Sequence, residues 1–165
     1  MTAPLVPVDP EPLRRLYGDF PRLDEFRLRS VNVNRWGPSL VLRVDLPEFP
    51  AHPPEEWVAS ECDVVQCHIH FGAVERLELQ AWNPPTWARL STAPTEQARM
   101  IDVSVQGAGL ALRFRGHESV AIRHISAFRA TPDASDEVPH HFLSKLDARL
   151  FSTLPGTHEK AFYAR

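Results

Sequence analysis

Apolar residues recur at every second position through a series of short runs, and proline or glycine closes most of them. This period suits strands with one buried face and argues against a helical bundle. The clearest run places Leu40, Leu42, Val44 and Leu46 against Val41, Arg43 and Asp45. The preceding run is less regular: Phe26 and Leu28 share one face, while Val31 and Val33 fall on the other. A bulge near Arg29–Ser30 would restore one face to the core, and Asn34 to Pro38 would form the turn with Trp36 exposed at its tip.

A second hairpin is expected where Val65, Cys67, Ile69 and Phe71 lead through Gly72–Ala73 into Leu77, Leu79 and Ala81. Ile101–Val105, Leu110–Phe114 and Ser119–Phe128 read as a meander. The segments Pro47–Trp57 and "NPPTWARLSTAPTEQ" carry too many prolines for central strands and read as loops. "DPEPLRRLYG" predicts a short helix, with Asp9 as N-cap, Pro10 in the first turn and Gly18 as the stop. "HHFLSKLDARLF" predicts a helix near the C-terminus, because Phe142, Leu143, Leu146 and Leu150 recur at helical spacing.

The expected architecture is therefore α+β and mainly antiparallel β. About seven strands form hairpins and a meander, as a sandwich or a strongly curved sheet, with one short helix at each end. A chain of 165 residues suits one domain spanning 1–165, with an extended arm at 1–8 and a loose tail at 153–165.

Charge and cysteine content narrow the function classes. The formal net charge of −3 gives no basic footprint, so nucleic acid is not an expected partner. No apolar run approaches the ~20 residues of a membrane span, and the N-terminus lacks the pattern of a secretion signal. A soluble, cytoplasmic protein is expected. Cys62 and Cys67 are five apart, which puts them on opposite faces of one strand and argues against a disulfide between them.

Motifs for chemistry are sparse. The chain contains no G-x-S-x-G, H-E-x-x-H, P-loop or G-x-G-x-x-G pattern. Asp24–Glu25 and Glu55–Glu56 are adjacent carboxylates of the kind that usually lie solvated in loops. His68 and His70 share one strand face and could hold a metal only with a third ligand from elsewhere, Glu75, Glu78 or His124 by residue type. The simpler reading is a polar, solvated second face. His140–His141 reads as a solvated helix start. Neither a catalytic role nor a cofactor is expected.

The remaining signal is a surface. Asp45, Glu48, Glu55, Glu56, Glu61 and Asp63 cluster after the first hairpin, and Phe49 and Trp57 interleave with them, with Trp36 available from the turn. Carboxylates around aromatic anchors suit a protein partner of basic character. The competing reading tucks Phe49 and Trp57 under the loop, into the core.

The segments "LYGDFPRLDEFRLRSVNVNRWGPSLVLRVDLPEFP" and "CHIHFGAVERLELQAW" resemble the bacterial immunity protein 50 family of polymorphic toxin systems. "FPRLDEFRL", "GPSLVLRVDL" and "FGAVERLEL" fill the family's strand and turn slots, while Asp24 stands where a histidine is frequent and Ala73 where a larger or acidic residue is common. The resemblance implies a protein without enzymatic activity that neutralises a cognate toxin domain by binding it. A nuclease-type toxin would offer a basic groove to the acidic surface just described. The alternatives are a small-molecule- or metal-binding β protein using His68 and His70, and an oligomerisation module pairing through its edge strands.

Overall fold

Two hydrophobic alternations meet across the turn at Arg35–Pro38, joining β2 (Phe26–Asn34) to β3 (Ser39–Asp45) in the computed structural model, which describes residues 3–83 and 85–150. Their register runs from Asn34↔Ser39 to Ser30↔Arg43 and resumes at Leu28↔Val44. The step is a bulge at Arg29, where the pattern predicts one. Phe26 and Leu28 are fully buried on one side of it, and Val31 packs against the core on the other.

Strand β4 (Val64–Phe71) pairs with β3, and β9 (Ser119–Phe128) pairs with β4. The two-residue strands β1 (Val6–Pro7) and β10 (His141–Phe142) both pair with β9, β1 in parallel. On the other side, β2 passes to β6 (Thr86–Pro94) through three residue pairs only. Beyond it lie β7 (Met100–Gly107), β8 (Leu110–His117) and the edge strand β5 (Glu75–Ala81). The order along the sheet is β1-β9-β4-β3-β2-β6-β7-β8-β5.

The described residues thus form one open sheet of ten strands, more than the seven expected. Glu118 alone joins β8 to β9, although five strands lie between them in the sheet. The sheet therefore curves back on itself. The rings of Phe71 in β4 and Phe114 in β8 meet edge-to-face at 4.9 Å, and the amide of His117 donates to the carbonyl of Gly72 at 3.0 Å. One apolar cluster fills the fold between the halves, including Leu40, Leu42, Ile69, Val105 and Leu112. Burying each of these stabilises the fold by ~1.5–3 kcal/mol.

Several expectations need correction. Strands β4 and β5 do not form a hairpin: β5 pairs with β8 at the far edge. Ala73 adopts φ +52° and the chain leaves β4 there for another part of the sheet. Period-two alternation defines which face of a strand is buried, and it does not name the neighbour. Strand β6 lies in a segment read as a loop, because Pro85 and Pro94 bracket it instead of interrupting it. The short helix α2 (Glu55–Ala59) begins after Pro53–Pro54 inside the other proline-rich loop.

The terminal helices follow the pattern in part. In α1 (Glu11–Tyr17), Leu13 and Leu16 are buried and Gly18, at φ +83°, ends the helix with its amide on Arg14. Pro10 takes the N-cap position expected of Asp9, whose carboxylate accepts from the amide of Glu11 at 3.3 Å. Helix α3 (Lys145–Leu150) starts later than expected, because His141 and Phe142 join the sheet. Leu146 and Leu150 are exposed, so that helical spacing marks no buried face. The tail expected at 153–165 lies outside the described residues. No described helix is long and apolar enough to cross a membrane.

The second face of β3 and β4 is not solvated. Gln66 and His68 are buried there, Gln66 against Asp136 of the chain that follows β9 and His68 against His124 of β9. His140 is buried as well: its Nδ1 lies 2.8 Å from Ser126 Oγ, and its Nε2 lies 2.9 Å from the carbonyl of Asp136. The helix-start reading fails at this position because the residue sits against the sheet.

Candidate partner-binding surface

Register gathers one set of loops. Arg27 pairs with Asp45, Asp45 with Gln66, and Gln66 with Ser126. The start of β2, the end of β3, the start of β4 and the end of β9 therefore lie at one end of the sheet. Segments 18–25, 46–63 and 129–140 emerge together there. They hold eleven of the 21 carboxylates of the chain and only two of its 18 lysines and arginines, Arg22 and Arg129. Such a concentration raises a negative potential on one end of a nearly neutral protein.

Helix α2 presents part of this charge. Trp57 is 1% exposed and anchors the helix, with the Phe49 ring 6.3 Å away. Glu55 and Glu56 stand exposed in its first turn, where the helix dipole favours carboxylates. Glu48 is exposed beside them, and its carbonyl accepts from the Tyr17 hydroxyl at 2.8 Å. Burial, with the nearby Cys67 and Glu48 charges, pushes the Tyr17 hydroxyl well above the ordinary tyrosine range.

A groove of about 470 Å³ continues the surface between Tyr17, Phe20, Asp19, Asp24, Glu25 and Glu48. Its only arginine, Arg22, lies 3.2 Å from Asp24. Asp19, Tyr17, Phe20 and the Asp24–Glu25 pair escaped sequence reasoning as parts of a surface. The signal was available, since the loop before β2 and the loop after β3 must share an end once those strands pair.

The other candidate residues divide. Glu61 and Asp63 are exposed at the acidic end. Asp45 is buried, and its carboxylate takes hydrogen bonds from Arg29 and from Gln66 Nε2, the latter at 2.6 Å. Trp57 is a core anchor and Phe49 is half-buried. Trp36 is 78% exposed, at the opposite end of β3, which at ~3.4 Å per residue lies ~20 Å away. Arg35 stacks on its ring at 4.9 Å.

The histidines form a different cluster. The His68 and His70 ring centroids are 6.1 Å apart, and His124 meets His68 edge-on at 4.8 Å. Nδ1 of His124 lies 3.0 Å from the buried Asp147 carboxylate. His124 takes φ +53°, the strained conformation of a residue displaced from the strand ladder. Glu75 and Glu78 are on β5, which pairs with β8 and not with β4. Among the described residues, no group of three histidine, cysteine or acidic side chains is arranged to hold a metal ion.

Both cysteines are free and buried. Burial, aided by Asp45, pushes the Cys67 thiol up to about 12. Burial also raises Cys62, with Asp63 and Glu56 adding to it. Thiols held in this state are poor nucleophiles.

The family model described as Immunity protein 50 matches residues 9–127. The match spans α1 through β9 and ends before segment 129–150. No curated protein and no solved structure matches the chain.

Proposed function

The chain belongs to the immunity protein 50 family, and we propose on that basis that it neutralises a cognate bacterial toxin domain by binding it through the acidic end of the sheet. Binding takes place in the cytoplasm, as part of a polymorphic toxin system, and needs no catalysis by this chain. The observation that supports this surface is the charge division, with eleven carboxylates and two arginines in three loops that the register brings together. Glu48, Glu55, Glu56, Glu61 and Asp63 supply the rim, and the groove at Tyr17 and Phe20 supplies aromatic contact. A basic toxin surface, such as the substrate groove of a nuclease, would be steered to this end and then shielded by it.

The test is protection of growth. Cells expressing the toxin domain encoded beside this chain should survive with the wild-type chain and die with a folded Glu48→Lys/Glu55→Lys/Glu56→Lys variant. Equal protection by the charge-reversed variant would move the interface elsewhere. Failure of the folded wild-type chain to bind or protect against any neighbouring toxin would overturn the function itself.

A further inference from the structure

Segment 130–139 crosses the second face of the sheet, and none of its ten residues is buried. Hydrophobic anchoring is therefore slight, and polar contacts hold it. On the inner side, Arg29 Nη1 donates to the carbonyl of Ala134 at 2.7 Å and Gln66 Nε2 donates to Asp136 at 2.9 Å. Arg43 lies 3.4 Å from the same carboxylate.

Both ends of the segment are tied to the acidic surface. Arg129 Nη1 lies 2.7 Å from Glu61 Oε2, and the amide of Ala130 donates to Asp63 at 2.7 Å. At the far end, His141 Nδ1 lies 3.2 Å from Glu56 Oε1. Three carboxylates assigned above to partner binding are thus already engaged by the chain itself.

We infer that segment 129–141 is a charge-latched strap, in which Arg129 and His141 occupy the carboxylates that a basic partner would take, so that docking of the partner releases the strap. The inference rests on the partner-binding reading of the acidic end. Both side chains of the Arg129–Glu61 pair are about 70% exposed, and ion pairs of that kind exchange at little cost. Beneath the strap, Gln66 Oε1 and Arg43 Nε have no hydrogen-bond partner among the described residues. Opening offers those groups water, which offsets part of what opening loses. The strap also begins beyond the span that matches the family.

Hydrogen exchange on the full chain, with a hexa-arginine peptide as the probe, tests this. Saturating peptide should speed exchange across 130–139 about tenfold or more while β4 stays protected, as for a local opening. Arg129→Ala/His141→Ala should bind the peptide about three- to tenfold more tightly, the range expected from removing two exposed competing pairs. Arg129→Ala alone is the fallback should the double variant fail to fold. Peptide binding that is weakened by Glu48→Lys/Glu55→Lys, with strap exchange and the Arg129 variant's affinity both unchanged, sinks the strap and leaves the acidic end standing. Binding that ignores Glu48→Lys/Glu55→Lys, or is absent from every form, overturns the acidic end and the strap with it.

Discussion

Arg29 donates from Nε and Nη2 to one carboxylate oxygen of Asp45, at 3.0 and 2.6 Å, with both side chains more than nine-tenths buried. The bulge in β2 places the guanidinium there. Replacing Arg29 by alanine would leave the Asp45 charge inside the protein with Gln66 as its remaining donor. The expected loss is ~3–5 kcal/mol, as for one partner removed from a buried pair. Urea unfolding of Arg29→Ala measures it, and a loss below ~1 kcal/mol would mean that water reaches Asp45.

Two tryptophans should respond in opposite ways. Trp57→Ala removes a fully buried anchor under α2 and should cost ~3–5 kcal/mol. Trp36→Ala, at an exposed turn, should change stability by no more than ~0.5 kcal/mol. Thermal melts of the two variants check this directly.

Stability should rise with pH across the acid range. Burial, with Arg123 and His124 adding to it, lowers the His70 imidazole from 6.5 to about 4. The folded protein binds this proton more weakly than the unfolded chain. The stability tied to the neutral ring is therefore whole above 6.5 and is lost as the pH falls toward 4. Burial lowers His140 in the same direction. The His70 contribution is of order 2 kcal/mol after allowance for partial exposure. Chemical denaturation from pH 4 to 7 should show the slope, and His70→Gln should flatten it.

Thiol labelling should separate folded from unfolded chain. Cys67 is fully enclosed and its thiol is held near 12, so an aromatic disulfide reagent at pH 8 should leave it unmodified in the native state. Cys62, also raised, should react slowly. Both should react at once in denaturant. Rapid labelling of Cys67 without denaturant would show that the core around β4 opens.

Legibility varied with the range of the interaction. The bulge at Arg29 and the buried faces of Leu40, Leu42 and Ile69 were readable, because each follows from the pleat of a single strand. The neighbour of β5 was not, since Leu77 and Leu79 alternate whether they pair with β4 or with β8. Histidines 68 and 140 looked solvated because their cover comes from distant residues. The carboxylates of α2 were visible as a cluster, but joining them to Asp19, Asp24 and Glu25 required knowing which loops share an end. Trp57 shows the limit of reading an acidic loop as surface: an aromatic beside charges is as readily the peg that holds the loop down.

The single-residue link at Glu118 also orders events during synthesis. As the chain leaves the ribosome, β2, β3 and β4 can pair at once, each with its predecessor. The outer edge of β4 must then wait while β5, β6, β7 and β8 are made, until residues 119–128 arrive to cover it. Throughout that interval an apolar strand edge lies open to neighbouring nascent chains. Polysomes translating this message closely spaced would be where misassembly begins, and a chain stalled before Ser119 would be its most hazardous product.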